Sequence, residues 1–195
     1  MACLLAALPG CRRDDDPTGP GKDPNRYPIV STFDKDLEGW GAFNDAQLNW
    51  ETTGGNPGGY LRGVDLMRGE VWYFRAPSRI LGNVSGAYGR VLSFDLYWHE
   101  TTAGTLKEVT DDVMLVGAKT TLVWSYPHPP GDKWTSYQMR LDESGGWHNA
   151  QTGQPATRAE IEDVLRDLRE LHIRGEFTDS AEQAGLDNVR LGVAP

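Results

Sequence analysis

Residues 70–98, EVWYFRAPSRILGNVSGAYGRVLSFDLYW, carry two strand patterns joined by a polar loop that glycine interrupts. In the second pattern Leu92, Phe94, Leu96 and Trp98 alternate with Ser93, Asp95 and Tyr97. A period of two places the first set on one face of a strand and the second on the other. In the first pattern Val71, Trp72, Tyr73 and Phe74 form an unbroken apolar run, as expected of a strand covered on both sides or at a sheet junction. A chain organised around such segments must supply further strands to cover them. The fold class is therefore all-β, a sandwich of two antiparallel sheets with one short amphipathic helix.

The composition agrees. The chain has 195 residues, enough for one domain with a sizeable core, with 38% hydrophobic residues, 23 glycines and 12 prolines. Short apolar runs punctuated by turn residues suit a β domain. The formal net charge is −9 and no basic patch breaks the acidic surface, which argues against nucleic acid as a partner. No apolar run approaches the ~20 residues needed to span a bilayer as a helix. Both cysteines fall in the first 11 residues, so the remainder has no disulfide and no cysteine-based metal site.

The N-terminus reads as an address. Residues 1–10, MACLLAALPG, form a short apolar stretch followed by Cys11. Leu8-Pro9-Gly10-Cys11 resembles a bacterial lipobox, which makes Cys11 a candidate for lipidation, over the alternative of an ordinary secretory signal with an incidental cysteine. Residues 12–28 are polar and rich in proline and glycine. Such a segment buries too little to fold and would act as a spacer reaching about 20–25 Å. The folded domain is expected over residues 29–195. The whole would then be a lipid-anchored, extracytoplasmic protein of the cell envelope, touching the membrane through its anchor alone.

Within the domain, Ile29 to Phe33 is an expected strand and Asp34 to Trp40 an expected turn. Asp34, Asp36, Glu38 and Gly39 mimic the first half of an EF-hand loop, but Asp45 stands where glutamate is required and no helices flank it. Trp50 to Tyr60 reads as a turn cluster around Asn56-Pro57-Gly58-Gly59. Val113–Val116 and Thr120–Tyr126 read as a hairpin, and Trp134 to Leu141 as a strand with Thr135, Tyr137, Met139 and Leu141 on one face. Thr157 and Glu160 form a capping box that starts a helix with Ile161, Val164, Leu165 and Leu168 in one stripe. Glu162 and Arg166 are expected to pair on its wet face. Leu171–Phe177 and Leu186–Val193 complete the strands.

In this order the segments resemble a laminin B domain, also called laminin domain IV type A. The residues carrying the resemblance are Tyr73-Phe74-Arg75-Ala76-Pro77-Ser78, Leu81-Gly82-Asn83, Ala87-Tyr88-Gly89 and Leu92-Ser93-Phe94. Asp112 to Gly117, the run from Trp134 through Trp147 and the helix to Ile173-Arg174, and Leu186-Asp187-Asn188-Val189 continue it. The opening Phe33-Asp34 with Leu37 to Trp40 is similar to galactose-binding-like sandwiches. The resemblance implies a jelly-roll β-sandwich and a non-catalytic role in matrix or adhesion. It also implies a structural calcium tying Asp34 to Asp187; the alternative is that Asp187 and Asn188 cap a turn.

Little catalytic chemistry is legible. His99, His128, His148 and His172 lack metal-ligand spacing, and no H-E-x-x-H, G-x-S-x-G or phosphate loop occurs. Asp95, Glu100 and Asp142 could supply a glycosidase pair, although Asp95 is more simply a solvated outward side chain. Aromatic residues are the better lead, because flat rings cover the apolar faces of sugars at low entropic cost. Among the rings near loops, Trp134 is shared with the expected core. That leaves Tyr97, Trp124, Tyr126 and Trp147 as the expected ligand platform, with carbohydrate or a matrix or surface protein as partner. A protein-interaction spacer is the alternative role, and a polysaccharide hydrolase the least supported.

Overall fold

The computed structural model describes residues 26–65 and 70–195. Cys11 and most of the expected spacer lie outside these residues. Twelve strands are present among the described residues: β1 (Ile29–Ser31), β2 (Gly41–Phe43), β3 (Ala46–Gly55), β4 (Gly58–Asp65), β5 (Tyr73–Arg75), β6 (Val91–Glu100), β7 (Val113–Val116), β8 (Thr121–Trp124), β9 (Thr135–Arg140), β10 (His148–Asn149), β11 (Glu170–Arg174) and β12 (Glu182–Val193). They form two antiparallel six-stranded sheets. In the first, the order is β3-β4-β12-β6-β9, and β1 pairs with β12 beyond the end of β4. In the second, the order is β10-β8-β7-β11-β5-β2.

The core lies between the sheets. Leu92, Phe94 and Leu96 from β6 are buried, as their alternation requires, and meet Leu115, Leu122, Leu171 and Ile173 from the second sheet in one cluster. Trp72, Tyr73 and Phe74 are all buried, in keeping with their unbroken apolar run. Trp98 is half-buried, and its indole N–H donates to the Glu182 carboxylate at 2.6 Å. The single α-helix among the described residues, α1 (Arg158–Arg166), begins at the Thr157–Glu160 capping box and buries Ile161, Val164 and Leu165. On its wet face the expected Glu162–Arg166 pair is replaced. Arg158 reaches Glu162 at 2.8 Å, and Arg166 reaches Asp163 at 3.1 Å.

Two strand boundaries differ from expectation. β1 stops at Ser31, because Phe33 takes a left-handed conformation (φ 53°) and turns the chain. The Trp50–Tyr60 segment is chiefly strand: β3 and β4 form a long hairpin whose tip is Asn56-Pro57. Its glycines serve close approach. A Cβ at Gly59 would lie 2.4 Å from the Phe33 carbonyl oxygen, and one at Gly55 would lie 2.8 Å from an Asp187 carboxylate oxygen. The hairpin tip can therefore lie against the outer face of the first sheet, and this contact shapes the candidate site.

Candidate functional site

The outer face of the first sheet is set by register. Asp95 on β6 lies across from Ser136 on β9 and Asp187 on β12, and Tyr97 lies across from Gly185. Gly185 permits the Tyr97 ring to cross β12, since a Cβ there would come within 2.0 Å of it. Tyr97 then donates a hydrogen bond to the Tyr60 hydroxyl on β4 at 3.1 Å. Trp134, just before β9, stands edge-on to both rings, with centroids 4.7 Å from Tyr97 and 5.4 Å from Tyr60. Its indole N–H donates to Gly54 at 3.0 Å and so ties the hairpin tip to the opposite edge of the face. All three rings are half-exposed. Burial, followed by the bond to Tyr60, holds the Tyr97 phenol well above its ordinary range.

Beside this aromatic trio runs a groove of about 510 Å³, lined by Asn56, Asp95, Ser136, Gln138, Asn188 and Arg190 among others. This is within the usual size of small-ligand sites. Asp95 organises its floor. Its carboxylate accepts from Ser136 Oγ at 2.5 Å, Asn188 Nδ2 at 2.8 Å and Asn56 Nδ2 at 3.2 Å. Asp95 points outward as its alternation requires, yet it is only 8% exposed, because the hairpin tip and Asn188 cover it. The solvated side chain expected at this position is thus a buried hub.

The two expected calcium ligands lie by the same hairpin tip. Asp187 is fully buried and accepts from the backbone amides of Asn56 and Asn188, both at 2.6 Å. A Cβ at Gly58 would lie 2.9 Å from an Asp34 carboxylate oxygen. Burial raises the Asp187 carboxyl to about 6, against its backbone hydrogen bonds, and the charges of Asp95 and Asp34 add to the rise. Among the described residues, no group of three His, Cys, Asp or Glu is arranged to hold a metal ion.

The expected aromatic platform is divided by the fold. Tyr97 does lie on the outer face. Trp147 does not: it is 2% exposed and its indole N–H donates to Arg140 at 2.7 Å, which makes it a core residue. Trp124 ends β8 in the other sheet, Tyr126 follows two residues later, and both pack against Tyr137. The Tyr126 hydroxyl is buried without a hydrogen-bond partner among the described residues. Tyr60, Asn56, Gln138 and Asn188 join the site without having been singled out as ligand residues. Asp95, Glu100 and Asp142 are engaged in separate local networks: Glu100 accepts from the Gly104 amide, while Asp142 pairs with Arg140 at 2.8 Å and caps Ser144.

A family model described as Laminin B (Domain IV) matches residues 73–195. The chain belongs to the laminin B family. The laminin subunit gamma-2 of Equus caballus is 29% identical over 180 residues, covering 85% of this chain and 14% of that subunit. The basement membrane-specific heparan sulfate proteoglycan core protein of Mus musculus is 30% identical over 122 residues, covering 63% of this chain and 3% of that protein. This chain therefore spans a small part of the length of these relatives. Among solved structures, the L4b domain of human laminin alpha-2 superposes with a TM-score of 0.56 at 20% identity, over 68% of this chain and 80% of that one. A family 11 carbohydrate-binding module of Clostridium thermocellum superposes with 0.53 at 13% identity, over 86% of this chain and 95% of that one. These similarities establish the jelly-roll β-sandwich expected from the sequence.

Proposed function

We propose that this laminin B domain is a non-catalytic, extracytoplasmic binding and adhesion module that takes carbohydrate in the groove on the outer face of its first sheet. The carrying observation is the groove itself, where Tyr60, Tyr97 and Trp134 stand beside a floor of amides, hydroxyls and a carboxylate. Rings cover the apolar faces of a sugar while the polar floor exchanges hydrogen bonds with its hydroxyls. Two comparisons support the reading. One relative is by name a basement membrane-specific heparan sulfate proteoglycan core protein, and a solved structure of the same fold, the Clostridium thermocellum family 11 module, holds a β-1,3-1,4-mixed-linked tetrasaccharide.

Replacing Trp134 by alanine should weaken retention on a polysaccharide roughly tenfold, the equivalent of about 1.4 kcal/mol. Phe43, on the second sheet and 40% exposed, provides the control, because its replacement should leave retention unchanged. Affinity electrophoresis of both variants makes the comparison, and equal losses would remove the groove as the binding face. Two further proposals carry their own tests. Calcium bound between Asp34 and Asp187 should raise the Tm relative to chelator, and Asp34→Asn should abolish the difference. Anchoring through Cys11 should incorporate labelled palmitate in the wild-type chain and fail in Cys11→Ser.

A further inference from the structure

We infer that the groove selects a neutral, hydroxyl-rich glycan and rejects uronates and sulfated sugars; this rests on the carbohydrate reading above. The hydrogen-bond inventory of the floor leads there. Asp95 takes up donors: the Ser136 hydroxyl hydrogen, one Asn56 amide hydrogen and one Asn188 amide hydrogen all point to it. The remaining Asn188 amide hydrogen goes to the Asn56 carbonyl oxygen at 2.6 Å. What Ser136 and Asn188 have left to offer is oxygen lone pairs. Gln138 and Arg190 keep amide and guanidinium donors at the exposed side of the groove, so the free acceptors are gathered at its Asp95 end, where the O–H groups of a neutral sugar can donate. Carboxylate and sulfate oxygens have no proton to donate and would face these lone pairs unpaired.

Charge acts in the same direction. Asp95 and Asp187 are buried behind the floor, and Asp34 lies by the same hairpin tip. Buried charges are screened by salt far less than exposed ones. Arg190 is the cation lining the groove, and the neighbouring Arg62 is tied to Glu51 at 2.7 Å. An anionic sugar at the Asp95 end would meet the buried Asp95 carboxylate, whose charge a calcium ion between Asp34 and Asp187 would leave in place.

The test is affinity electrophoresis of the full chain in gels containing mixed-linkage β-glucan, agarose, heparin or polygalacturonate. The variant is Gln138→Ala, an exposed groove residue whose side chain makes no hydrogen bond to a described residue, so its loss should spare folding. The expected result is retention by at least one neutral gel, a several-fold loss of it in Gln138→Ala, and free migration through both anionic gels. Retention by heparin or polygalacturonate that Gln138→Ala weakens would overturn the neutral-sugar inference and leave the groove as a glycan site. Neutral retention unchanged by both Gln138→Ala and Trp134→Ala would overturn the location as well, as would free migration in every gel.

Discussion

Replacing Glu182 by alanine should cost about 3–5 kcal/mol of folding stability, since it strips one buried acceptor from several donors at once. Glu182 opens β12 and is 1% exposed. Its carboxylate accepts from the Phe177 amide at 2.6 Å, the Thr178 amide at 2.9 Å, the Thr178 hydroxyl at 2.8 Å and the Trp98 indole at 2.6 Å. These bonds join the loop after β11, the end of β6 and the start of β12, so the two sheets meet at this carboxylate. Urea unfolding of the full chain measures the loss, and a value below about 1.5 kcal/mol would show that the donors find other partners.

The same site sets a pH dependence. Burial raises the Glu182 carboxyl above its ordinary value, against the hydrogen bonds that favour its charged form. Asp112, Glu176 and Asp187 are raised for the same first reason, Asp187 to about 6. A raised folded-state pKa means that the folded chain binds the proton more tightly than the unfolded one. The associated stability is present in full below the unfolded value of about 4 and is lost as the pH rises through the folded value. His172 opposes this, because burial lowers its pKa and the unfolded chain protonates first on acidification. Asp187, whose folded value of about 6 lies inside this range, therefore gains stability between pH 7 and pH 5, while His172 loses it. In Asp187→Asn that gain should be lost, so its Tm should fall further, or rise less, from pH 7 to pH 5 than that of the wild type; equal changes in the two would contradict the assignment.

The parts of the fold that were legible in the sequence are those where a side chain's direction follows from its neighbours along the chain. Alternation gave the inner face of β6, and the Thr157–Glu160 spacing gave the start of the helix. The parts that were not legible depend on distant segments. Trp147 follows two glycines and reads as a loop ring, yet it is buried, with its indole N–H donating to the distant Arg140 carbonyl. Tyr60 and Trp134 become partners only when β4 and β9 are placed on either side of β12 and β6, and that placement joins residues more than seventy positions apart. Asp95 alternates outward as expected, but its burial is made by Asn56 and Asn188, which no local period connects to it. Glycines were the most misleading signal. Those of the Trp50–Tyr60 segment read as turn formers, whereas Gly55 and Gly59 lie in strands and clear space for the chain that packs on them.

The same use of glycine predicts a second large effect, at Trp72. This ring is fully buried and lies between Gly63 on β4 and Gly175 just after β11, one from each sheet. A Cβ at Gly63 would come within 2.2 Å of the ring, and one at Gly175 within 2.1 Å. No carbon approaches another so closely without displacement, and the ring cannot retreat from one glycine without striking the other. The backbone is also held, because the Trp72 amide donates to Glu176 at 3.1 Å and the Gly175 amide donates to the Trp72 carbonyl at 3.0 Å. Gly175→Ala should therefore destabilise the domain by about 3 kcal/mol, at the upper end of ordinary overpacking. Shrinking the ring supplies the control. In a Trp72→Phe background the methyl group gains room, so the double variant should be more stable than the sum of the two single losses implies, a coupling expected of residues in contact. Urea unfolding of the two single variants and the double variant gives the coupling energy. Strict additivity, or a loss below about 1 kcal/mol for Gly175→Ala alone, would mean that the sheets separate easily enough to release the ring, and that Trp72 does not set the distance between them.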